Sequence, residues 1–122
     1  FYRAQTLLES GDLDSAKASA LSALGMADSM GDRELQLRSR CLLARVTRGD
    51  KESAENASCC LKEAAGLVRE LGVAGRSFLS RPDISNDVRE SAEILSEAGR
   101  TEELKRFKEL GLGGESTDEG DA

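Results

Sequence analysis

Three cysteines are the residues of this chain whose type could bind a metal or carry redox chemistry. Cys59 and Cys60 are adjacent, and Cys41 stands apart upstream. Adjacent side chains on a helix point about 100 degrees apart, so this pair offers a metal fewer ligands than a structural zinc site requires. An odd number of cysteines also builds no disulfide framework and indicates a reducing compartment, cytoplasmic or nuclear. We therefore predict buried free thiols, with no metal site and no cofactor.

Acidic residues occur in adjacent pairs, the pattern that general acid and base catalysis would need. The pairs are Glu102-Glu103 and Asp118-Glu119. They fall at a predicted helix start and in a polar terminal segment, where we expect carboxylates to be solvated or to cap a helix. The chain contains no His, which excludes Ser-His-Asp and Cys-His catalysis within it. We therefore predict that it is not an enzyme.

The distribution of charge argues against direct binding to nucleic acid. The chain has 17 Lys and Arg residues against 23 Asp and Glu residues, a formal net charge of −6. Four acids and no base stand in the last twelve residues, which leaves −2 on the rest: Glu115, Asp118, Glu119 and Asp121. A phosphate-binding surface needs an excess of bases. The apolar runs are also too short to span a membrane, so we expect neither nucleic acid nor membrane as a partner.

Apolar residues recur three and four positions apart along most of the chain, which predicts helices. Hydrophobic residues make up 39% of the chain and aromatic residues only 3%, so the core must consist mainly of Ala and Leu. Pro82 is the single proline, and glycines mark the helix ends. The six predicted helices span roughly residues 1–10, 12–30, 33–48, 51–71, 83–98 and 101–110.

Turn signals repeat along the chain. Gly followed by Asp occurs at 11–12, 31–32 and 49–50, where Gly can end one helix and Asp can cap the next. A longer motif also returns, because Ala4-x-x-Leu7-x-x-x-Gly11 reappears as Ala92-x-x-Leu95-x-x-x-Gly99. An acid stands three residues after each of Gly11, Gly49 and Gly99, and an apolar residue stands five after. The spacing predicts helical hairpins whose apolar sides need a neighbour.

These hairpins resemble the tetratricopeptide repeat (TPR) family. The signature of that family has a small residue, a large apolar residue three later, Gly at the turn, and Ala five after the Gly. The matching positions are Ala4, Leu7, Gly11, Ala16 and Ala23 in the first unit, Gly49 and Ala54 in the second, and Ala92, Leu95 and Gly99 in the third. The second unit departs at Leu42 and Arg45. The intervals between the turn glycines, 38 and 50 residues, exceed the usual period of about 34.

The resemblance implies an all-α fold of antiparallel helical hairpins stacked as a TPR-like α-solenoid, with about three hairpins and six helices. The implied repeat domain spans residues 1–110, with hairpins at 1–31, 32–72 and 83–110 and a loop at 73–82. In that loop, Phe78 and Leu79 either pack over the second hairpin or form a docking element. Residues 111–122 are predicted to be an acidic disordered tail, with a hypothetical phosphorylation site at Ser116 or Thr117. An unrelated helical bundle with Gly-Asp turns is the alternative fold.

The resemblance also implies a function. TPR proteins bind peptides or helices in a concave groove lined by the first helix of each hairpin. We therefore expect a non-catalytic protein–protein interaction module, an adaptor or scaffold subunit whose partner is another protein and which belongs to a longer chain or assembly. A regulatory sensor domain that controls an attached effector module is the alternative. The groove positions implied by alignment are Tyr2, Gln5, Gln36, Ser39, Arg40, Leu43, Asn86, Arg89 and Glu93.

Overall fold

The computed structural model describes residues 2–109 and residue 111. Every regular element in this part of the chain is an α-helix, which confirms the predicted all-α class. The helices are α1 (Tyr2–Glu9), α2 (Leu13–Met30), α3 (Arg33–Val46), α4 (Lys51–Leu71), α5 (Val73–Leu79), α6 (Pro82–Glu97) and α7 (Thr101–Glu109). Their number is seven among the described residues, not six. None of these helices combines the length and the apolar character needed to cross a membrane.

Three helix ends use the same glycine turn. Gly11, Gly31 and Gly99 have φ values of 88°, 68° and 77°, in the region that glycine adopts at little cost. At each turn the glycine N–H donates to the carbonyl three residues earlier, and the next N–H donates to the carbonyl five residues earlier. This Schellman pattern satisfies the last carbonyls of each helix. The chain therefore reverses its direction in the same way at all three glycines.

The turn at Gly49 is built differently. α3 ends at Val46, three residues before Gly49, whereas α1 and α6 end two residues before their glycines. The Asp50 N–H donates to the Thr47 carbonyl at 2.8 Å, and the Asp50 side chain caps no backbone N–H. The turn at Gly49 is therefore one residue longer than the turns at Gly11 and Gly99. An alignment that counts back from Gly49 gives each α3 residue the position that belongs to its neighbour in the sequence.

The prediction of a loop at residues 73–82 was wrong, because most of this segment forms α5. This helix begins directly after Gly72, which ends α4 with a φ of 57°. Phe78 and Leu79 are half-buried and pack against the larger core cluster. The guanidinium carbon of Arg81 lies 5.4 Å from the centroid of the Phe78 ring. Of the two alternatives for Phe78 and Leu79, the structure shows packing over the second hairpin.

Helix α3 lies between two apolar clusters. The smaller cluster joins α3 to the first hairpin through Ala4, Ala16, Ala20, Leu24, Leu42, Leu43 and Val46. The larger cluster joins the opposite side of α3 to α4, α6 and α7, and its fully buried leucines and isoleucine are Leu37, Leu61, Leu95 and Ile84. The small side chains of Ala let the helix backbones approach closely in both clusters. Every hairpin therefore packs on a helix of its neighbour.

Polar contacts between the hairpins join residues at a nearly constant distance along the sequence. Two pairs join α3 to α6, Arg38–Asp87 and Arg45–Glu90, and Arg48 in the turn after α3 pairs with Glu97 of α6. The paired residues are 45 to 49 apart in the sequence. Two further pairs both join residues 45 apart: Ser58–Glu103 between α4 and α7, and Glu55–Arg100, in which Arg100 directly precedes α7. Both residue numbers rise together along each helix pair, so the paired helices run parallel. The hairpin α3–α4 and the hairpin α6–α7 therefore lie side by side in the same orientation.

Candidate functional site

The surface where α3 meets α6 carries a row of paired charges. We call it the α3–α6 face and define it by Arg38 and Arg45 on α3, Arg48 in the turn after α3, and Asp87, Glu90 and Glu97 on α6. The Arg38 Nε lies 3.0 Å from an Asp87 carboxylate oxygen, and the Arg45 Nε lies 3.1 Å from a Glu90 oxygen. Arg48 reaches both oxygens of Glu97, at 3.1 and 2.7 Å. These pairs fix the long side chains of both helices in one arrangement.

The two ends of this row differ in burial and therefore in electrostatics. The Asp87 side chain is only 10% exposed, and burial raises the pKa of its carboxyl group although the Arg38 guanidinium opposes that rise. The Glu97 side chain is 59% exposed, and its hydrogen bond from Arg48 lowers the pKa of its carboxyl group. The Asp87 carboxylate therefore lies at the buried end of the α3–α6 face, whereas Glu97 lies at its solvent-exposed end.

Three of the residues predicted to bind a partner lie together on α6 beside this row. Asn86, Arg89 and Glu93 are all exposed, and the Arg89 guanidinium donates to the Asn86 side-chain oxygen at 2.6 Å. Neither Arg89 nor Glu93 forms an ion pair with any described residue. On α1, Gln5 is half-buried, and the side chain of Tyr2 lies outside the described structure. The α6 residues therefore remain accessible to a partner.

Two of the residues predicted on α3 are core residues and do not belong to an exposed groove. Ser39 and Leu43 are 0% and 1% exposed, and Leu43 lies in the smaller cluster against the first hairpin. Leu43 is buried because this side of α3, with Leu42 and Val46, packs against the first hairpin. The extra residue in the turn at Gly49 moves the position predicted at Ser39 to Arg38, but it would move Leu43 only to Leu42, which is equally buried. Gln36 donates to the Asp28 side chain on α2 at 3.0 Å, and Arg40 is half-buried.

Sequence reasoning missed Arg38 and Arg45, the α3 residues that face α6. Arg38 stands one position before Ser39, as the shifted register requires. The signal for these residues was present in the chain, because bases on α3 and in the turn after it are followed 45 to 49 residues later by acids on α6. When the bounds of two helices are known, bases on one and acids at a nearly constant offset on the other indicate that the two helices are parallel neighbours.

Two of the three cysteines pack in the interior. Cys41 and Cys60 are buried free thiols, as predicted, whereas Cys59 is only half-buried. The neighbouring Cys60 and burial raise the pKa of the Cys41 thiol well above its ordinary value, so it stays protonated and a poor nucleophile. The Cys41 thiol donates to the Asp87 carbonyl at 3.3 Å. Within residues 2–109 and 111, no three His, Cys, Asp or Glu side chains are grouped closely enough to hold a metal ion.

Comparisons with known proteins assign no family to this chain. No protein-family model matches it, and searches of curated proteins and of solved structures find no significant match.

Proposed function

We propose that this chain is a non-catalytic protein–protein interaction module that holds a peptide or helix of a partner protein. The observation that carries the proposal is the parallel, side-by-side placement of hairpins α3–α4 and α6–α7. Repeated hairpins related in this way build a TPR-like α-solenoid, in which each unit contacts its neighbours and the first helices share one extended face. We further propose that the module serves as an adaptor or scaffold subunit of a larger complex.

The proposed binding surface is the α3–α6 face together with Asn86, Arg89 and Glu93. The pairs Arg38–Asp87 and Arg45–Glu90 are held between two packed helices, so this surface needs little ordering when a partner docks. A preorganised surface loses less conformational entropy on binding and therefore gains affinity. Arg89 and Glu93 present opposite charges to solvent, and such charges select among partners by electrostatic complementarity.

A peptide selection followed by charge reversal on α6 tests this function. Peptides would be selected against the full chain from a displayed library, and their affinity would be measured by calorimetry. The double variant Arg89→Glu/Glu93→Lys reverses two exposed side chains without touching the core. We expect it to weaken the selected peptides by about tenfold or more, the size of a hot-spot effect. Lys105→Glu, an exposed substitution on α7, is the matched control and should leave the affinity unchanged.

Two outcomes contradict the proposal. If no peptide from the library binds the folded chain, the interaction function is wrong. If peptides bind but the α6 double variant and the α7 control behave alike, the chain binds partners at a different surface. Circular dichroism of each variant shows whether a loss of affinity arises from unfolding.

A further inference from the structure

A second surface lies on the other side of the third hairpin, between α4 and α7. It is a cleft of about 870 Å³, which we call the α4–α7 cleft. Its floor is formed by Ala65 and Phe107, which are largely buried. Its rim carries the basic side chains Lys62, Arg69, Arg100 and Arg106 and the acidic side chains Glu102 and Glu103. The cleft therefore combines an apolar floor with a positively charged rim.

Most of this positive charge is unpaired. Arg100 lies 2.7 Å from both Glu55 and Glu103, and Glu103 also accepts a hydrogen bond from the Ser58 hydroxyl. Arg100 and Glu103 thus neutralise each other within the described structure. Lys62, Arg69 and Arg106 are exposed and make no ion pair with any described residue. Three unpaired bases face the single unpaired acid of the rim, Glu102.

The chain leaves α7 at the basic end of this cleft. The pairs Glu55–Arg100 and Ser58–Glu103 join residues 45 apart, so α7 runs parallel to α4. With this offset the last residue of α7, Glu109, lies near the level of position 64, and Arg69 on α4 extends beyond the end of α7. A methyl group added to Gly111 would approach a guanidinium nitrogen of Arg76 to 3.1 Å. Gly111, the described residue that follows α7, therefore lies beside the basic side chain of Arg76.

The next part of the chain has the complementary charge. Residues 112–122 lie outside the described residues, and in sequence they contain four acids and no base: Glu115, Asp118, Glu119 and Asp121. A segment of eleven residues reaches about 36 Å when extended. This reach exceeds the length of the α4 portion that borders the cleft, since the seven residue steps from Lys62 to Arg69 rise about 10 Å along a helix. The acids can therefore reach every base on the rim.

We propose that the α4–α7 cleft is a binding site for an acidic peptide segment, and that its occupant is the chain's own residues 112–122. Carboxylates of the segment pair with Lys62, Arg69 and Arg106, while its small residues lie over Ala65 and Phe107. The segment is covalently attached beside the cleft, so it acts at a high effective concentration even if each ion pair is weak. This site is independent of the α3–α6 face and goes beyond the function proposed above.

Zero-length crosslinking of the full chain tests the proposal. A carbodiimide joins a carboxylate to a lysine amine only when the two are in contact, and mass spectrometry identifies the joined residues. We expect the acids of 112–122 to crosslink to Lys62 several-fold more than to Lys105 or Lys108, which stand nearer in sequence but do not line the cleft. Preferential crosslinking to Lys108 and Lys105 would overturn the proposal, because it is the pattern of an unbound segment.

Charge reversal supplies the matched variants. Arg69→Glu/Arg106→Glu should reduce crosslinking at Lys62 several-fold, whereas Lys51→Glu, an exposed reversal at the opposite end of α4, should not. Salt at about 1 M should also reduce it, since the screening length falls to about 3 Å. If the double reversal has no effect, charge does not hold the segment and the proposal fails.

Two further measurements decide what occupies the cleft. In a mixture of light and heavy isotope-labelled chains, crosslinks within one chain support the proposal, and mixed crosslinks show that a second copy supplies the segment. The variant Glu115→Gln/Asp118→Asn/Glu119→Gln/Asp121→Asn should shift the NMR signals of Lys62, Arg69 and Arg106. The absence of any shift there would contradict the proposal without depending on crosslinking.

Discussion

At Gly75 a single hydrogen atom in place of a side chain lets α5 pack on α4. A Cβ atom at this position would lie 2.4 Å from the carbonyl oxygen of Leu67 and 2.8 Å from its carbonyl carbon. These are backbone atoms inside α4, so no side-chain rotation can make room. Gly25 is also within a helix, but a Cβ there would meet no atom within 4 Å. A side chain would therefore clash with backbone atoms at Gly75 but would meet open space at Gly25.

Replacing each glycine by alanine should change stability in opposite directions. We expect Gly75→Ala to destabilise the chain by about 1–3 kcal/mol, because α5 must move away from α4. Gly25→Ala is the matched control and should stabilise it by about 0.5–1 kcal/mol, because alanine has the higher helix propensity. Urea unfolding followed by circular dichroism measures both values. A neutral or stabilising Gly75→Ala would show that α5 does not pack closely on α4.

Gly75 also shows why a short helix was predicted as a loop. Gly72 and Gly75 stand close together in sequence, and clustered glycines usually indicate a turn. Gly72 does end a helix, as that rule expects, but Gly75 serves a close approach between helices. Its partner is Leu67, eight positions away on another helix, and no local spacing reveals such a contact.

At the level of the helices, the start of each helix depends on the turn before it. The Asp32 side chain accepts a hydrogen bond from the Leu35 N–H at 3.1 Å and so caps α3. The Asp50 side chain makes no such bond at the start of α4, since its turn contains the extra residue that follows Val46. The same Gly-Asp dipeptide therefore caps one helix and leaves the other uncapped.

Removing these two aspartates separates capping from charge. Asp32→Ala should destabilise the chain by about 1 kcal/mol, the usual cost of losing an N-cap side chain. Asp50→Ala removes the same charge near a helix start but no capping bond, so its effect should be clearly smaller. Thermal and urea unfolding of both variants measure the difference. Equal losses would mean that the cap of α3 contributes nothing beyond its charge.

The helix boundaries followed closely from the sequence, whereas the face that α3 presents did not. Apolar spacing and glycine placement predicted α2, α4 and α6 to within about two residues. Ser39 was assigned to a groove because the turn at Gly49 was assumed to match that at Gly11, and Leu43 because its packing against the first hairpin is not visible in the local spacing. A single added residue leaves a helical pattern intact but rotates every side chain by about 100 degrees. Binding faces are therefore more sensitive to turn length than helices are.

At the scale of the whole molecule, the polar contacts between hairpins show how neighbouring hairpins are placed relative to each other. The interval of 50 residues between Gly49 and Gly99 already indicated a unit longer than the usual repeat. The offsets of 45 to 49 between paired residues on α3 and α6 agree with that unit. The sequence supplied the charges and the interval, but only the packed helices show which base meets which acid.

These pairs couple the stability of the molecule to pH in two opposite senses. The hydrogen bond from Arg48 lowers the pKa of Glu97 in the folded chain. Its stabilising effect is therefore present above the unfolded pKa, about 4.3, and is lost as the pH falls through the lower folded value. Burial raises the pKa of Asp87 above its ordinary value. Protonation of Asp87 therefore favours the folded state as the pH falls, and it partly offsets the loss at Glu97.

Two substitutions should separate these opposing effects. We expect Glu97→Gln to make the fall of the unfolding free energy between about pH 5 and pH 3 shallower. Asp87→Asn should make the fall steeper, because it removes the group whose protonation supports folding. Glu93→Gln, which removes an exposed carboxylate on the same helix without breaking an ion pair, is the control for the loss of one negative charge. Urea titrations at several pH values measure the slopes. A steeper fall in Glu97→Gln, or an unchanged one in both variants, would show that the α3–α6 pairs do not contribute to folding.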